Sequence, residues 1–146
     1  MSKHYLSKKE IKALVASLDE IGLPFADSDK MQVEETKNGN LYFLGRVFAG
    51  IWTDRFIPTP DFLNIVKPEK KKIVVDQGAV PHIMNGANLF AKGILSMSPD
   101  IRKGDYVFIA DERGRFLATA ISSVDYNADI RNQSGEAAKT LKMSLP

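Results

Sequence analysis

Residues 74–94, VVDQGAVPHIMNGANLFAKGI, set Gly78, Gly86 and Gly93 within sixteen positions around barely two turns of helix. Pro81 has no amide hydrogen to donate, so it belongs in a first helical turn, and the helix must begin at about Ala79 or Val80. Val80, Ile83 and Met84 then face a core, and Pro81, His82 and Asn85 face outward. Asp76 is placed to accept amides in the turn before the helix. Gly86 supplies the left-handed stop, and Gly93 lets the chain re-enter a sheet with no side chain in the way. The stretch GANLFAKG is then a loop that offers backbone amides, one Asn and one Lys on an otherwise small, bare surface.

The flanking sequence reads as strands. KIVVD is a short apolar run ahead of the helix, and ILSMS leaves it. DYVFIAD and FLATAISSV flank ERGR, where Gly114 marks a hairpin. AAKTLKMSL sets Ala137, Lys139, Leu141 and Met143 against Ala138, Thr140, Lys142 and Ser144, a two-residue period with unlike faces. Five or six short strands and one small helix predict a closed or nearly closed barrel, because an open sheet so small leaves sticky edges.

The first half differs. Ser7 stands three residues before Glu10 as a capping box, and Ile11, Leu14, Val15, Leu18 and Ile21 follow on one helical face. Gly22 and Pro24 end that helix. MQVEETKNGNLYFLGRVFAGIW reads as strand, turn at Asn38 and Gly39, then a second strand that continues through a bend at Gly45. Thr59, Pro60 and Asp61 open a second short helix. Residues 1–68 are therefore expected to form a small α+β unit. KPEKKK, residues 67–72, is the expected solvated connection, with residues 70–146 as the barrel.

Composition narrows the chemistry. At 146 residues, 44% of them apolar, the chain can bury a core as one ordinary domain or two small ones. It has no cysteine and two histidines, which excludes disulfides and thiolate sites and argues against a histidine-rich metal centre. No phosphate-cradling GxxxxGK[ST], HExxH or serine elbow occurs, so no catalytic residue and no cofactor are expected. The charged N-terminal stretch is unlike a signal peptide, and no apolar run is long enough for a membrane helix, so a soluble cytoplasmic setting is expected. Residues 1–66 hold eight Lys+Arg against nine Asp+Glu, a net of −1, and residues 67–146 hold twelve against nine, a net of +3. The more basic half suits a polyanionic partner.

At VVDQGAVPHIMNGANLFAKGI, followed by KGDYVFIAD, the sequence resembles the PUA domain, the small β-barrel shared by pseudouridine synthases and archaeosine transglycosylases. The V-D-x-G-A turn, the second Gly-Ala and the Gly-Ile that opens a strand match together. Upstream, FIPTPDFLNIV is similar to the segment before this domain in the malignant T-cell amplified sequence family and its archaeal stand-alone relatives, where a small α+β pre-PUA domain precedes the barrel.

The resemblance implies RNA binding through the helix, the loop after it and the last strand. It points to Gly86, Ala87, Asn88, Lys92 and Gly93 in the loop and Lys139 and Lys142 on the strand. His82 on the outer side of the helix and Lys71 and Lys72 in the lysine-rich connection are further candidates for RNA contact on position and charge. It implies a non-catalytic role in translation, with tRNA or rRNA as partner and contact with the small ribosomal subunit or a translation factor. Many relatives carry proline where Lys92 stands, which makes this loop less rigid and more attractive to phosphate. The alternative is a protein-interaction adaptor that docks through Trp52 and neighbouring aromatics of the first half.

Overall fold

The structure, a computed structural model, describes residues 3–141. Lys142 and the end of the predicted last strand lie outside the described residues. The chain divides into two compact units at Val66 and Lys67.

The first unit contains β1 (His4–Tyr5), α1 (Lys8–Glu20), β2 (Met31–Thr36), β3 (Gly39–Leu44), β4 (Val47–Trp52), β5 (Phe56–Pro58) and α2 (Pro60–Val66). Its five strands pair antiparallel in chain order. The capping box forms as expected: the Glu10 amide donates to Ser7 Oγ at 3.2 Å, and the Ser7 amide donates to Glu10 Oε1 at 2.9 Å. Gly22, at φ +80°, ends α1 while the Leu23 amide reaches back to the Leu18 carbonyl at 2.8 Å. Leu18 and Leu23 are both fully buried, as apolar residues flanking such a stop commonly are. At α2, Thr59 Oγ1 accepts from the Phe62 amide at 3.0 Å and donates to the Phe48 carbonyl at 2.6 Å, tying the cap to the sheet.

The single strand expected to bend at Gly45 is two strands. Gly45 takes φ +59° and, with Arg46, reverses the chain so that Leu44 lies opposite Val47. A left-handed residue in a two-residue connection turns a strand back on itself. Phe43 and Phe48 then meet across the turn with ring centroids 5.6 Å apart. β1 and β5 are too short to show a period in sequence, yet they extend the expected hairpin to a five-stranded sheet.

The second unit contains β6 (Lys72–Val75), α3 (Val80–Met84), β7 (Leu89–Phe90), β8 (Ile94–Met97), β9 (Tyr106–Ala110), β10 (Phe116–Ser122) and β11 (Glu136–Thr140). The strand order is β7-β11-β10-β9-β6-β8, antiparallel except for β6 against β9. The two end strands are joined directly by a 3₁₀ turn, Ala91–Gly93, so the sheet curls into a nearly closed barrel. Ile73, Val75, Ile83, Leu89, Ile94 and Ile109 lie in its core at 0–2% exposure.

Two expectations need correction here. Ala137 and Ala138 are both buried, because the register of β11 against β7 shifts between Glu136 and Ala138 and breaks the predicted alternation. Residues 67–72 are not a wholly solvated connection: Pro68 is buried, and Lys71 folds back at φ +55°. The Lys71 ammonium donates to Asp105 Oδ2 at 2.7 Å and to the Asp100 carbonyl at 2.6 Å.

Candidate nucleic-acid interface

Asp76 organises the approach to α3. Its Oδ1 accepts from the Ala79 amide at 3.0 Å, its own amide donates to the Gly93 carbonyl at 2.9 Å, and its Oδ2 lies 3.5 Å from Arg131 Nη2. The first contact is the one the sequence predicts. At Gly93 packing rather than dihedral angle disfavours a side chain, since a Cβ there would stand 3.2 Å from the Ala79 Cβ. Gly86, at φ +86°, ends the helix, with its amide on the Ile83 carbonyl and the Ala87 amide on the His82 carbonyl, both at 2.9 Å.

Met84 does not face the core. Its side chain is 59% exposed, and its sulfur lies 4.0 Å from Arg115 Nη2. A five-residue helix can bury one narrow stripe, and Ile83 at 2% exposure fills it.

The expected loop of bare amides is also different. The Gly86 and Ala87 amides close the helix, Leu89 and Phe90 pair with β11, and the Ala91 amide donates to the Gly135 carbonyl at 2.9 Å. The Thr140 amide donates to Asn88 Oδ1 at 3.1 Å, and Thr140 Oγ1 donates to the Ala87 carbonyl at 2.7 Å. The backbone is thus occupied in holding the loop against the last strand. What faces outward is side chains: His82, Asn88, Phe90 and Lys92 are all exposed.

His82, Asn88 and Phe90 border a groove of about 340 Å³, which Ala79, Ile83, Ala87, Leu89 and Gly93 also line. His82, Ala87, Asn88 and Gly93, all named from sequence, line it. Gly86 precedes Ala87, and Lys92 sits in the turn beside Gly93. Lys139 is exposed on β11 between Ala138, which pairs with Leu89, and Thr140, which binds Asn88. Lys71 and Lys72 are not part of the groove: Lys71 is spent on Asp100 and Asp105, and the Lys72 ammonium lies 5.6 Å from the Phe116 ring centroid.

Phe90, 58% exposed, is the residue the sequence reading missed. Neighbouring residues of β7 face opposite sides, Leu89 inside at 1% exposure and Phe90 outside, but two residues are too few for a period to show in the sequence. Trp52, the candidate of the adaptor reading, is half-buried beside Tyr42, with ring centroids 6.1 Å apart. In the first unit His4, Glu10 and Glu35 bring ligand atoms within 4.8 Å of one another. Glu10 there is engaged by the capping box: the Ser7 amide, opposed by a small burial effect and joined by the Ser7 hydroxyl and His4, holds its carboxyl below the usual value.

Comparison with known proteins agrees with this geometry. The PUA domain model matches residues 71–141. The solved structure of a conserved PUA domain protein from Thermoplasma acidophilum is 33% identical, with a TM-score of 0.86 over 96% of this chain and 92% of that one. An uncharacterized protein of Methanocaldococcus jannaschii is 30% identical over 118 residues, 75% of this chain and 71% of its own length. The tRNA (cytosine(72)-C(5))-methyltransferase of Pyrococcus horikoshii is 29% identical over 89 residues, 60% of this chain but 23% of the enzyme. The six-stranded barrel with its short helix is thus a PUA domain, a class of domain that binds RNA. The chain belongs to the family of PUA-domain proteins.

Proposed function

We propose that this chain is a non-catalytic RNA-binding protein of translation, which holds a structured RNA such as tRNA, or rRNA of the small ribosomal subunit, against the α3–β7 groove. One observation carries the reading: an exposed aromatic, Phe90, and two polar side chains, His82 and Asn88, border one groove, with Lys92 in the turn at its side. Aromatic faces take unstacked bases, and ammonium groups take phosphate. The partial match to a tRNA methyltransferase supports tRNA as the RNA class. The five-stranded first unit is read as a pre-PUA domain, after the likeness of FIPTPDFLNIV to the malignant T-cell amplified sequence family.

A non-catalytic role is supported by Asp76, the nearest candidate acid, because its Oδ1 accepts from the Ala79 amide and is engaged in shaping the turn. Among the described residues no helix is long and apolar enough to cross a membrane. A cytoplasmic setting is part of the proposal.

Filter binding of a transcribed tRNA over a salt series tests it. Affinity should fall as salt rises, with a slope of roughly 0.7–0.9 per phosphate contact. Lys92→Glu should weaken retention while the thermal midpoint holds. Equal affinity in that variant would remove the loop from the interface.

A further inference from the structure

The geometry points to Arg131 as a second phosphate-binding cation of this surface, aimed by Asp76 and set beside Lys92. The inference rests on the RNA-binding reading above and adds a residue that neither the sequence motif nor the family resemblance names.

Arg131 lies in the 3₁₀ turn Ile130–Asn132, within the irregular segment that connects β10 to β11. That segment is long for a connection in so small a barrel, and such segments usually carry function or disorder. This one is anchored: Ile130 is 6% exposed in the barrel core, and the turn runs close to Ala91–Gly93, the turn that carries Lys92. A short path of bonds fixes the position further. Arg131 Nη2 faces Asp76 Oδ2, and the Asp76 amide holds the Gly93 carbonyl. Arg131 is therefore brought, through Asp76, close to Gly93 of the groove lining, although 38 positions separate the two in the chain.

A structural staple is the competing reading, and distance and exposure decide against it. The Arg131–Asp76 approach is 3.5 Å with the arginine side chain 53% exposed, whereas Lys71 and Asp105 in the same unit meet at 2.7 Å with the lysine 22% exposed. A formed charge-assisted bond measures about 2.7–2.9 Å. Arg131 is thus oriented by Asp76 without being consumed by it. A guanidinium has five donors in a planar fork that fits phosphate two bonds at a time, and with Nη2 facing Asp76 the remaining donors of this half-exposed side chain are those a phosphate would take. Asp129, the nearest acid in sequence, is turned toward the Asn132 amide group.

The test compares Arg131→Gln, Arg131→Lys and Lys92→Gln with the unaltered full chain, using one transcribed tRNA between 50 and 200 mM salt. If Arg131 meets phosphate, Arg131→Gln makes the log–log salt slope shallower by roughly 0.7–0.9, about a threefold smaller loss of affinity over that range. Arg131→Lys keeps the slope, and the thermal midpoint of both variants stays where it was. An unchanged slope in Arg131→Gln beside a shallower one in Lys92→Gln overturns the inference while leaving the RNA-binding reading in place. A lowered thermal midpoint with an unchanged slope also overturns it, by showing a staple. Salt-insensitive retention, or none, in the unaltered chain overturns the RNA-binding reading and Arg131 with it.

Discussion

Asn88 is bonded to Thr140 across the edge of the barrel, and Thr140 also bonds to Ala87 beside it. The Thr140 amide donates to Asn88 Oδ1 at 3.1 Å, and the Thr140 hydroxyl donates to the carbonyl of Ala87 at 2.7 Å. The pair extends the two-residue pairing of β7 with β11 by one more rung and fixes the groove's far wall. Asn88→Ala should therefore lose about 1 kcal/mol, the net worth of one hydrogen bond, and speed hydrogen exchange at the Thr140 amide. Asn88→Asp keeps an acceptor at the same place, so that amide should stay protected. Its added negative charge should still weaken tRNA retention. The two variants separate the residue's task in the fold from its place at the RNA surface.

Two glycines are predicted to reject alanine for steric reasons alone. At Gly93 a Cβ would stand 3.2 Å from the Ala79 Cβ, which the start of α3 holds in place. At Gly50 it would come within 2.6 Å of the Ile57 carbonyl oxygen and collide with the ring of Phe56, itself 1% exposed. Overpacking typically costs roughly 1–3 kcal/mol, so Gly93→Ala should fall near the bottom of that range and Gly50→Ala at or above its top. Urea unfolding followed by Trp52 fluorescence reports the second, because Trp52 shares β4 with Gly50. Far-ultraviolet circular dichroism reports the first. A Gly50→Ala protein of unchanged midpoint would mean that β5 moves aside freely.

What could be read in the sequence follows from range. Caps are local chemistry, so Ser7 with Glu10, Thr59 ahead of Phe62, and Asp76 ahead of Ala79 were all legible from residue type and spacing. The strands with a clear period or apolar run were legible too. Elements of two or three residues were not: β1, β5 and β7 exist because a neighbouring strand offers them a ladder, and no local pattern records that. The site shows the same divide. The loop residues around Gly86 are marked by turn chemistry, but the exposure of Phe90 depends on its pairing with Glu136, and the approach of Arg131 depends on two turns distant in sequence. Lys71 misled for the same reason, since its acids at 100 and 105 lie about thirty positions away.

Asp105 gives the fold an acid-sensitive contact. Burial, the largest single influence, pushes its carboxyl upward. The hydrogen bond from Lys71, the Arg102 amide and the charges of both residues together outweigh it and hold the group below the usual carboxylate value. A carboxylate depressed in the folded state contributes stability above its unfolded pKa of about 3.9 and loses it as pH falls through the lower folded value. Stability should thus be level near neutrality and decline below about pH 4, by no more than about 1 kcal/mol from this group, because the pair is partly exposed. Asp105→Asn should lower the urea midpoint at pH 7 and flatten the acid limb. An acid limb as steep as before would place the titration elsewhere.

Phe90 separates stacking from charge at the groove. Its backbone holds β7 against Glu136, while the residue is 58% exposed, so Phe90→Ala removes little core and should move stability by no more than about 0.5 kcal/mol. If an unstacked base lies on the ring, the same change should cost roughly 1–3 kcal/mol of tRNA affinity, the range measured for base–aromatic stacking. Phe90→Tyr should retain that affinity, because the aromatic face is preserved. The salt slope should not move, since no phosphate contact is lost, whereas Lys92→Glu must make it shallower. Filter binding of both variants at two salt concentrations reads out affinity and slope together. Full affinity in Phe90→Ala would show that the RNA approaches this edge through its backbone alone.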